Sequence, residues 1–220
     1  MNEPAEDHDD GDRAPGWDAI DALLHRVYGA QEPLHMGTLV RYADGGPDPL
    51  DGVSAYLHPE GHWHYVGFGL TELDDKQSER TDLSGWGFEL TVRLQHHGTC
   101  PPRPWSSQAP PPREAQAPAW PFFFLQHLAR QVFAHDAIIE VDDLLPGAPP
   151  EAAGLAGFLA IEDPELGCLE TPNGRLRFLQ LVGVDAVQLA RARGSAAGAA
   201  AVLAELRAAS PLLVTRLRPG

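Results

Sequence analysis

The sequence predicts an α+β fold, a mixed, largely antiparallel β-sheet flanked by helices, in one large domain. Three observations carry this expectation. Strand patterns cluster ahead of a central helix instead of alternating with helices, which argues against a doubly wound parallel sheet. Trp86 to Gln95 alternates apolar and polar residues with period two, the mark of a strand with one buried face. Two segments, 17–28 and 119–134, repeat apolar residues at helical spacing. The chain has 220 residues, enough to fold around its own core without a disulfide or a metal.

Residues 1–16 carry Glu3, Glu6, Asp7, Asp9, Asp10 and Asp12 with few apolar side chains, so they read as a disordered acidic tail before a domain spanning 17–220. Trp17, Ile20, Leu23, Leu24 and Val27 mark a first amphipathic helix ending at Tyr28. Leu34 to Tyr42 reads as a strand that stops in the turn-rich stretch Asp44 to Pro49. Val53 to Leu57 and His62 to Phe68 read as a hairpin joined by Pro59-Glu60-Gly61. Leu70 to Gly85 is polar and reads as an exposed loop. In the strand 86–95, Trp86, Phe88, Leu90, Val92 and Leu94 face the core, and Glu89, Thr91, Arg93 and Gln95 face outward.

Residues 98–118, rich in Pro, Ser, Ala and Gln, read as a surface loop. Ala119 to Ala134 is the central helix, with Pro121 in its first turn, where a missing amide hydrogen costs little. Short strands are expected at Ala137 to Val141 and Leu155 to Ile161. Arg175 to Val184 becomes apolar on both faces, as a strand covered on two sides would. Two helices follow, capped by Asp185 and Ser195, and Leu212 to Leu217 is expected as a last strand.

Charge narrows the partners. The formal net charge is −15 from 31 acidic and 16 basic residues. Such a surface repels phosphate, which disfavours nucleic acid and anionic membranes and leaves a basic protein as the complementary partner. The two cysteines, Cys100 and Cys168, share no metal-type spacing and suit a reducing compartment. With no apolar run long enough to span a bilayer and no secretory leader at Met1 to Gly16, a cytoplasmic location is expected.

Motifs for enzymatic chemistry are sparse. Gly-x-Ser-x-Gly, a phosphate loop, a dinucleotide fingerprint and Cys-x-x-Cys are all absent, and no cofactor is implied. His62 and His64, two apart, share a strand face, and with Glu89 or Glu60 they would make a third-ligand metal site. The competing reading is a polar strand face between the aromatics Trp63 and Tyr65. The acid pairs at Asp48 and Asp51, Asp74 and Asp75, Asp142 and Asp143, and Glu162 and Asp163 read first as turn and solvent-facing residues. Partner binding remains, because a sheet with an open edge accepts an extended peptide as an added strand.

Several blocks carry a family resemblance. They are Gly45-Gly46-Pro47-Asp48-Pro49-Leu50-Asp51, His62-Trp63-His64-Tyr65-Val66-Gly67-Phe68-Gly69-Leu70 and Ser84-Gly85-Trp86-Gly87-Phe88-Glu89-Leu90-Thr91-Val92-Arg93-Leu94. Further ones are Leu128 to Phe133, Glu162-Asp163-Pro164, Thr171-Pro172-Asn173-Gly174 and Phe178 to Val184. In this order, from about Tyr28 to Leu217, they resemble the N-terminal domain of the Suppressor of fused family.

The resemblance implies a non-enzymatic, protein-binding α/β fold. Animal members bind Gli-type zinc-finger transcription factors through a peptide that adds as a strand between two lobes. The chain ends where the second lobe would begin and lacks the regulatory insert, so Gli-type binding is not carried over. The family's peptide-contacting tyrosine falls at Gln131, a departure. Its key aspartate falls at Asp143, or at Asp142 in a register one residue away, and a turn role for Asp143 stands beside the contact role. The other motif residues, among them Gly45, Gly46, Pro47, Asp48, Pro49, Asp51, Trp63, His64, Tyr65, Gly87, Phe88 and Glu89, are expected to be mostly structural. Stand-alone bacterial members resemble immunity proteins, which implies a toxin as partner. The alternatives are an intracellular scaffold or regulator and a metal-dependent enzyme built on His62, His64 and Glu89.

Overall fold

The structure is a computed structural model and describes residues 14–96 and 116–217. Most of the predicted acidic tail and of the Pro-rich segment 98–118 lies outside them. The elements run α1 (Pro15–Tyr28), β1 (Leu34–Gly37), β2 (Gly52–His58), β3 (His62–Phe68), β4 (Leu83–Gln95), α2 (Trp120–His135) and β5 (Leu144–Pro146). They continue through β6 (Gly157–Glu162), β7 (Cys168–Thr171), β8 (Gly174–Val184), α3 (Ala186–Gly194) and α4 (Ala196–Ala209). The strand order is β1-β2-β3-β4-β8-β6-β5, with β7 pairing β8 beside β6. Among the named strands β4 and β8 run parallel and the other ladders are antiparallel. The mixed, largely antiparallel α+β sheet read from the sequence is therefore what forms.

Period-two alternation sorts the strands into two covered faces. Val53, Ala55 and Leu57 of β2, Trp63 and Tyr65 of β3, and Leu90, Val92 and Leu94 of β4 pack with Phe124, Leu125, Ala129 and Val132 of α2. On the opposite face, Tyr56, Val66, Phe68, Leu176 and Phe178 pack under Ile20, Leu24 and Tyr28 of α1. The same face carries a separate cluster of Leu159, Ile161, Val182 and Val184 under Leu189 of α3 and Val202 of α4. The result is a three-layer sandwich with two apolar clusters side by side on one face. Each fully buried aliphatic side chain adds about 1.5–3 kcal/mol of transfer free energy.

Several sequence expectations are corrected. The first strand ends at Gly37 rather than Tyr42: the Thr38 amide makes a last bond to Asp51 O, and the chain then leaves β2 and enters a 3-10 turn at Tyr42–Asp44. The loop 70–82 is anchored, not simply exposed: Leu70, Thr71 and Leu73 are buried. There the Glu72 carboxylate accepts amide hydrogens of Gln77 and Gly85, and Lys76 donates to it at 2.7 Å. No strand forms at Ala137 to Val141. Asp136 (φ 51°) ends α2 in a left-handed turn and Asp142 (φ 73°) makes another, so pairing starts only at Leu144.

β7 was not anticipated. It pairs with β8 across a tight turn held by Thr171, whose hydroxyl donates to Gly174 O at 2.8 Å. The terminal segment 212–217 forms a single bridge, Thr215 to Leu94, rather than a strand. Both expected N-caps are present. Asp185 accepts from Val187 and Gln188 amides in a capping box, and Ser195 accepts from Gly198.

Candidate partner-docking edge

The outward face expected of β4 is instead sealed. Glu89, Thr91 and Arg93 are all fully buried. Arg93 occupies the middle of a polar seam between the α1 cluster and the α3–α4 cluster. Its Nη2 donates to Asp163 Oδ1 at 3.0 Å, and its Nη1 reaches Glu165 Oε2 at 2.7 Å. Its Nε donates to Gln180 Oε1 at 3.2 Å, and Nη1 also lies 3.1 Å from His62 Nε2. Asp163 further accepts from Thr91 Oγ1 at 2.9 Å and from the Glu165 and Leu166 amides.

His64 completes the seam. Its Nε2 lies 3.1 Å from Asp163 Oδ2, so the carboxylate fixes the proton on Nε2. Nδ1 is then the acceptor, and the Tyr28 hydroxyl donates to it at 2.6 Å. Burial, then the Arg93 charge, hold His64 neutral, its pKa lowered to about 4. Burial and the charges of His58 and Arg93 lower His62 to about 2. Burial alone would raise the Asp163 carboxyl, but His64 and Arg93 outweigh it and keep Asp163 ionised. A tyrosine–histidine–carboxylate chain has relay geometry, yet no member of this one reaches solvent. It ties α1, β3, β4 and the 163–166 turn together.

The metal reading fails on placement. His62 and His64 do share a face, but Arg93 and Asp163 already engage them. Glu89 lies beyond the Val66–Thr91 pair, alongside Phe68, roughly 20 Å along the sheet from His62 at about 3.4 Å per residue. There Glu89 Oε1 accepts from the Gly69 amide (2.9 Å), the Thr71 amide (2.9 Å) and the Thr71 hydroxyl (2.7 Å). Burial raises its pKa to about 7. Glu60 is exposed at the β2–β3 turn. Among the described residues, no group of three His, Cys, Asp or Glu side chains is arranged to hold a metal ion.

The remaining motif residues build the frame. Gly45 (φ 87°) closes the 3-10 turn and Gly46 is buried behind Pro47. Asp48 pairs with Arg130 of α2, and Gln126 of α2 holds both backbone groups of Leu50, its Oε1 accepting at 2.9 Å and its Nε2 donating at 3.0 Å. Thus the segment Pro49-Leu50-Asp51 is fastened to the central helix. Trp63 and Phe88 are core, and the Tyr65 hydroxyl donates to Pro118 O at 2.9 Å. Gly87 (φ 83°) sits where the β4–β8 register shifts between Leu83 and Phe88.

Among the described residues three strands have a single strand partner, β1, β5 and the short β7, and β5 lies beside a groove. On β5, the Asp143 carbonyl accepts from Ala160 and the Gly147 amide donates to Ala156. Alternation then turns Leu145 inward and points the Leu144 N–H and C=O and the Pro146 C=O away from β6. This short edge has one proline, which removes a donor and guards against unselective pairing. Between β5 and α2 runs an apolar groove of about 660 Å³. Trp120, Phe123, Phe124, His127 and Leu128 form one wall, and Leu145 to Pro149 the other. Phe123 is 62% exposed at its mouth.

Asp142 and Asp143 immediately precede β5, and both are exposed. One oxygen of Asp143, Oδ2, accepts from the Glu140 amide at 2.8 Å, so the turn role expected for this residue is present. Gln131 is exposed on α2, one turn beyond His127 on the helix face that lines the groove. Glu151 lines the groove and is exposed, which adds negative charge to its rim. Sequence reasoning reached Asp142, Asp143 and Gln131 only through the resemblance. It missed the groove, since Phe124, Leu125, Leu128, Val132 and Phe133 read simply as the apolar stripe of α2, and that stripe does not single out Trp120 and Phe123.

The Suppressor of fused protein family profile matches residues 46–218. A Suppressor of fused homolog from Homo sapiens is 36% identical over 93% of this chain, and the match spans 43% of the human protein's length. The crystal structure of the Sufu–Fu complex superposes with a TM-score of 0.77 at 32% identity, covering 94% of this chain and 91% of the other. Drosophila Suppressor of Fused superposes with a TM-score of 0.73 at 33% identity, covering 93% of this chain and 50% of that one. With a family profile over 46–218 and a relative 36% identical over 93% of its length, the chain belongs to the Suppressor of fused family.

Proposed function

We propose that this domain acts by docking another protein, without catalysis, and that the docked segment adds as a strand to β5. The observation that carries this reading is the open β5 edge lying directly beside an apolar groove and an acidic turn. The Leu144 amide and carbonyl and the Pro146 carbonyl offer backbone hydrogen bonds, the groove takes alternate apolar side chains, and Asp142 and Asp143 select a basic or histidine-bearing segment. The similar Sufu in complex with Fu is consistent with a protein-docking role.

The finer reading is an immunity protein of the cytoplasm whose partner is a basic toxin. The net charge of −15 supports it, because opposite charge speeds encounter and sets specificity. No helix among the described residues is long and apolar enough to cross a membrane. The test has two arms. Affinity capture from the native host with wild type and with Asp142→Lys/Asp143→Lys should show about tenfold weaker capture by the variant, a loss of about 1.4 kcal/mol. Co-expression of a toxin from the same locus should be survived only with the wild-type domain. Equal capture by both forms removes the acidic turn from the site, and killing despite co-expression removes the toxin reading while leaving docking intact.

A further inference from the structure

A second cleft, of about 440 Å³, opens on a different part of the surface and shares no residue with the β5 groove. Segments far apart in sequence build it: Tyr42, Pro49 and Asp51, the turn from Gly69 to Asp75, Trp86, and Phe133 of α2. Three aromatic rings stand edge to face. The Tyr42 and Phe133 centroids are 4.9 Å apart at 63°, and those of Trp86 and Phe133 are 5.6 Å apart at 68°. The three rings pack on one another and line the cleft as one aromatic wall, and aromatic surface beside carboxylates attracts a cation.

The charges around the cleft agree. Asp51, Glu72, Asp74 and Asp75 line it, and of the charges around Asp51 the Arg41 cation acts most strongly, opposed by Asp74 and Asp44. Two cations stand against them, and both are engaged: Arg41 bonds Asp74 at 2.7 Å, and Lys76 bonds Glu72 at 2.7 Å. Asp51 is half-buried, and its carboxylate has no hydrogen bond or ion pair among the described residues. Behind the wall made by Gly69 and Thr71 sits the carboxylate of Glu89, whose Oε2 is buried without a partner. The cleft thus holds more negative charge than its own residues neutralise, beside an aromatic wall. Arg41 on Asp74 shows that the rim accommodates a guanidinium.

We propose that the cleft bounded by Tyr42, Trp86, Phe133 and Asp51 is a receptor for a cationic side chain, lysine or arginine, of a partner protein. The cation sits in the cleft against the aromatic wall, with Asp51 as its counter-ion. The frame is firm, since Gln126 fixes Leu50 and thereby Asp51, and Gly69 (φ 130°) lets the wall approach the Asp51 backbone at a distance where a Cβ would lie 2.8 Å from the Asp51 amide.

The experiment titrates the whole chain with N-acetyl-lysine methylamide, its arginine counterpart, and the neutral norleucine analogue at matched ionic strength. The readout is the Trp86 indole N–H resonance, assigned with Trp86→Phe. A saturating shift with the two cationic probes and none with norleucine is the expected result. Tyr42→Ala and Asp51→Asn should each weaken binding about fivefold, the size of an exposed cation–π or ion-pair contribution. Tyr42 is 44% exposed, so its removal leaves the core untouched, and Asp51→Asn preserves shape if the first variant misfolds. Equal binding of norleucine, shifts no larger than those from sodium chloride, or unchanged affinity in Asp51→Asn would overturn the assignment.

Discussion

Replacing Arg93 with Met tests the buried seam most sharply. Arg93 and Asp163 side chains are both 0% exposed and 3.0 Å apart. Removing the guanidinium strands Asp163 in the interior with only the His64 ring, the Thr91 hydroxyl and two backbone amides as donors. It also deprives Glu165, Gln180 and His62 of a donor. Breaking such a pair one-sidedly costs about 3–5 kcal/mol, a large part of a total stability of about 5–15 kcal/mol. In urea, with a slope of about 2–3 kcal/mol/M, the midpoint should fall by roughly 1–2 M at pH 7. Fluorescence of the buried tryptophans reports it. Adding Asp163→Asn to Arg93→Met should recover part of the loss, because the stranded charge disappears. A midpoint shift under about 0.3 M, or no recovery in the double variant, would refute the view that the seam is an electrostatic unit.

Acid should weaken the fold before it protonates Asp163. His62 and His64 are neutral when folded, with pKa values near 2 and 4 against an ordinary 6.5, so the unfolded chain takes up their protons first and stability falls as pH drops below 6.5. Glu89 acts oppositely: its pKa is raised from 4.5 to about 7, so stability is gained as pH drops through that window. Two losses against one gain leave a net fall on the order of 1 kcal/mol per pH unit between pH 6.5 and 4.5, measurable as urea midpoints. Glu89→Gln should stabilise the domain at pH 8 by about 1–3 kcal/mol and make the acid loss steeper, since the amide oxygen keeps the Gly69 and Thr71 donors without the buried charge. A flat pH profile in that variant would contradict the assignment. Leu144→Pro should weaken partner capture five- to tenfold, about 1–1.4 kcal/mol, beyond the effect of Leu144→Ala, because both lose the packing of Leu144 on the Leu159 cluster and only the proline removes an outward-facing donor.

The sequence announced the layers better than it announced their polar interior. Helical spacing in 17–28 and 119–134 and the alternation of 86–95 located α1, α2 and β4, since each pattern follows from burial of one face. The same rule misassigned Arg93, Thr91 and Glu89 to solvent, because a polar residue on a strand is outward by default. What overrides the default is partners from distant segments: Asp163 is 70 residues from Arg93, and Gly69 and Thr71 are about 20 from Glu89. Arg93 standing amid apolar neighbours in the middle of a strand was the one local sign. Boundaries failed where backbone handedness decides them. Asp136 and Asp142 both take positive φ, which unmade the strand expected at Ala137 to Val141 and moved the sheet edge to Leu144. β7 escaped because Cys168 to Thr171 is only four residues long, too short for a pattern to emerge.

The candidate site shows the same division. Asp142 and Asp143 were legible through the resemblance, whereas the free edge depends on strand order, which no local pattern reports. The groove depends on Phe123 facing outward while Phe122 and Phe124 face in, a distinction three consecutive phenylalanines hide.

Amide hydrogen exchange on the domain, alone and with its captured partner, addresses the docking edge most directly. Strand addition at β5 predicts strong slowing at Leu144, whose N–H points away from β6, with little change at His35 and Gly37 on the opposite edge strand β1. Unaltered exchange at Leu144, with protection appearing at His35 and Gly37 instead, would contradict it.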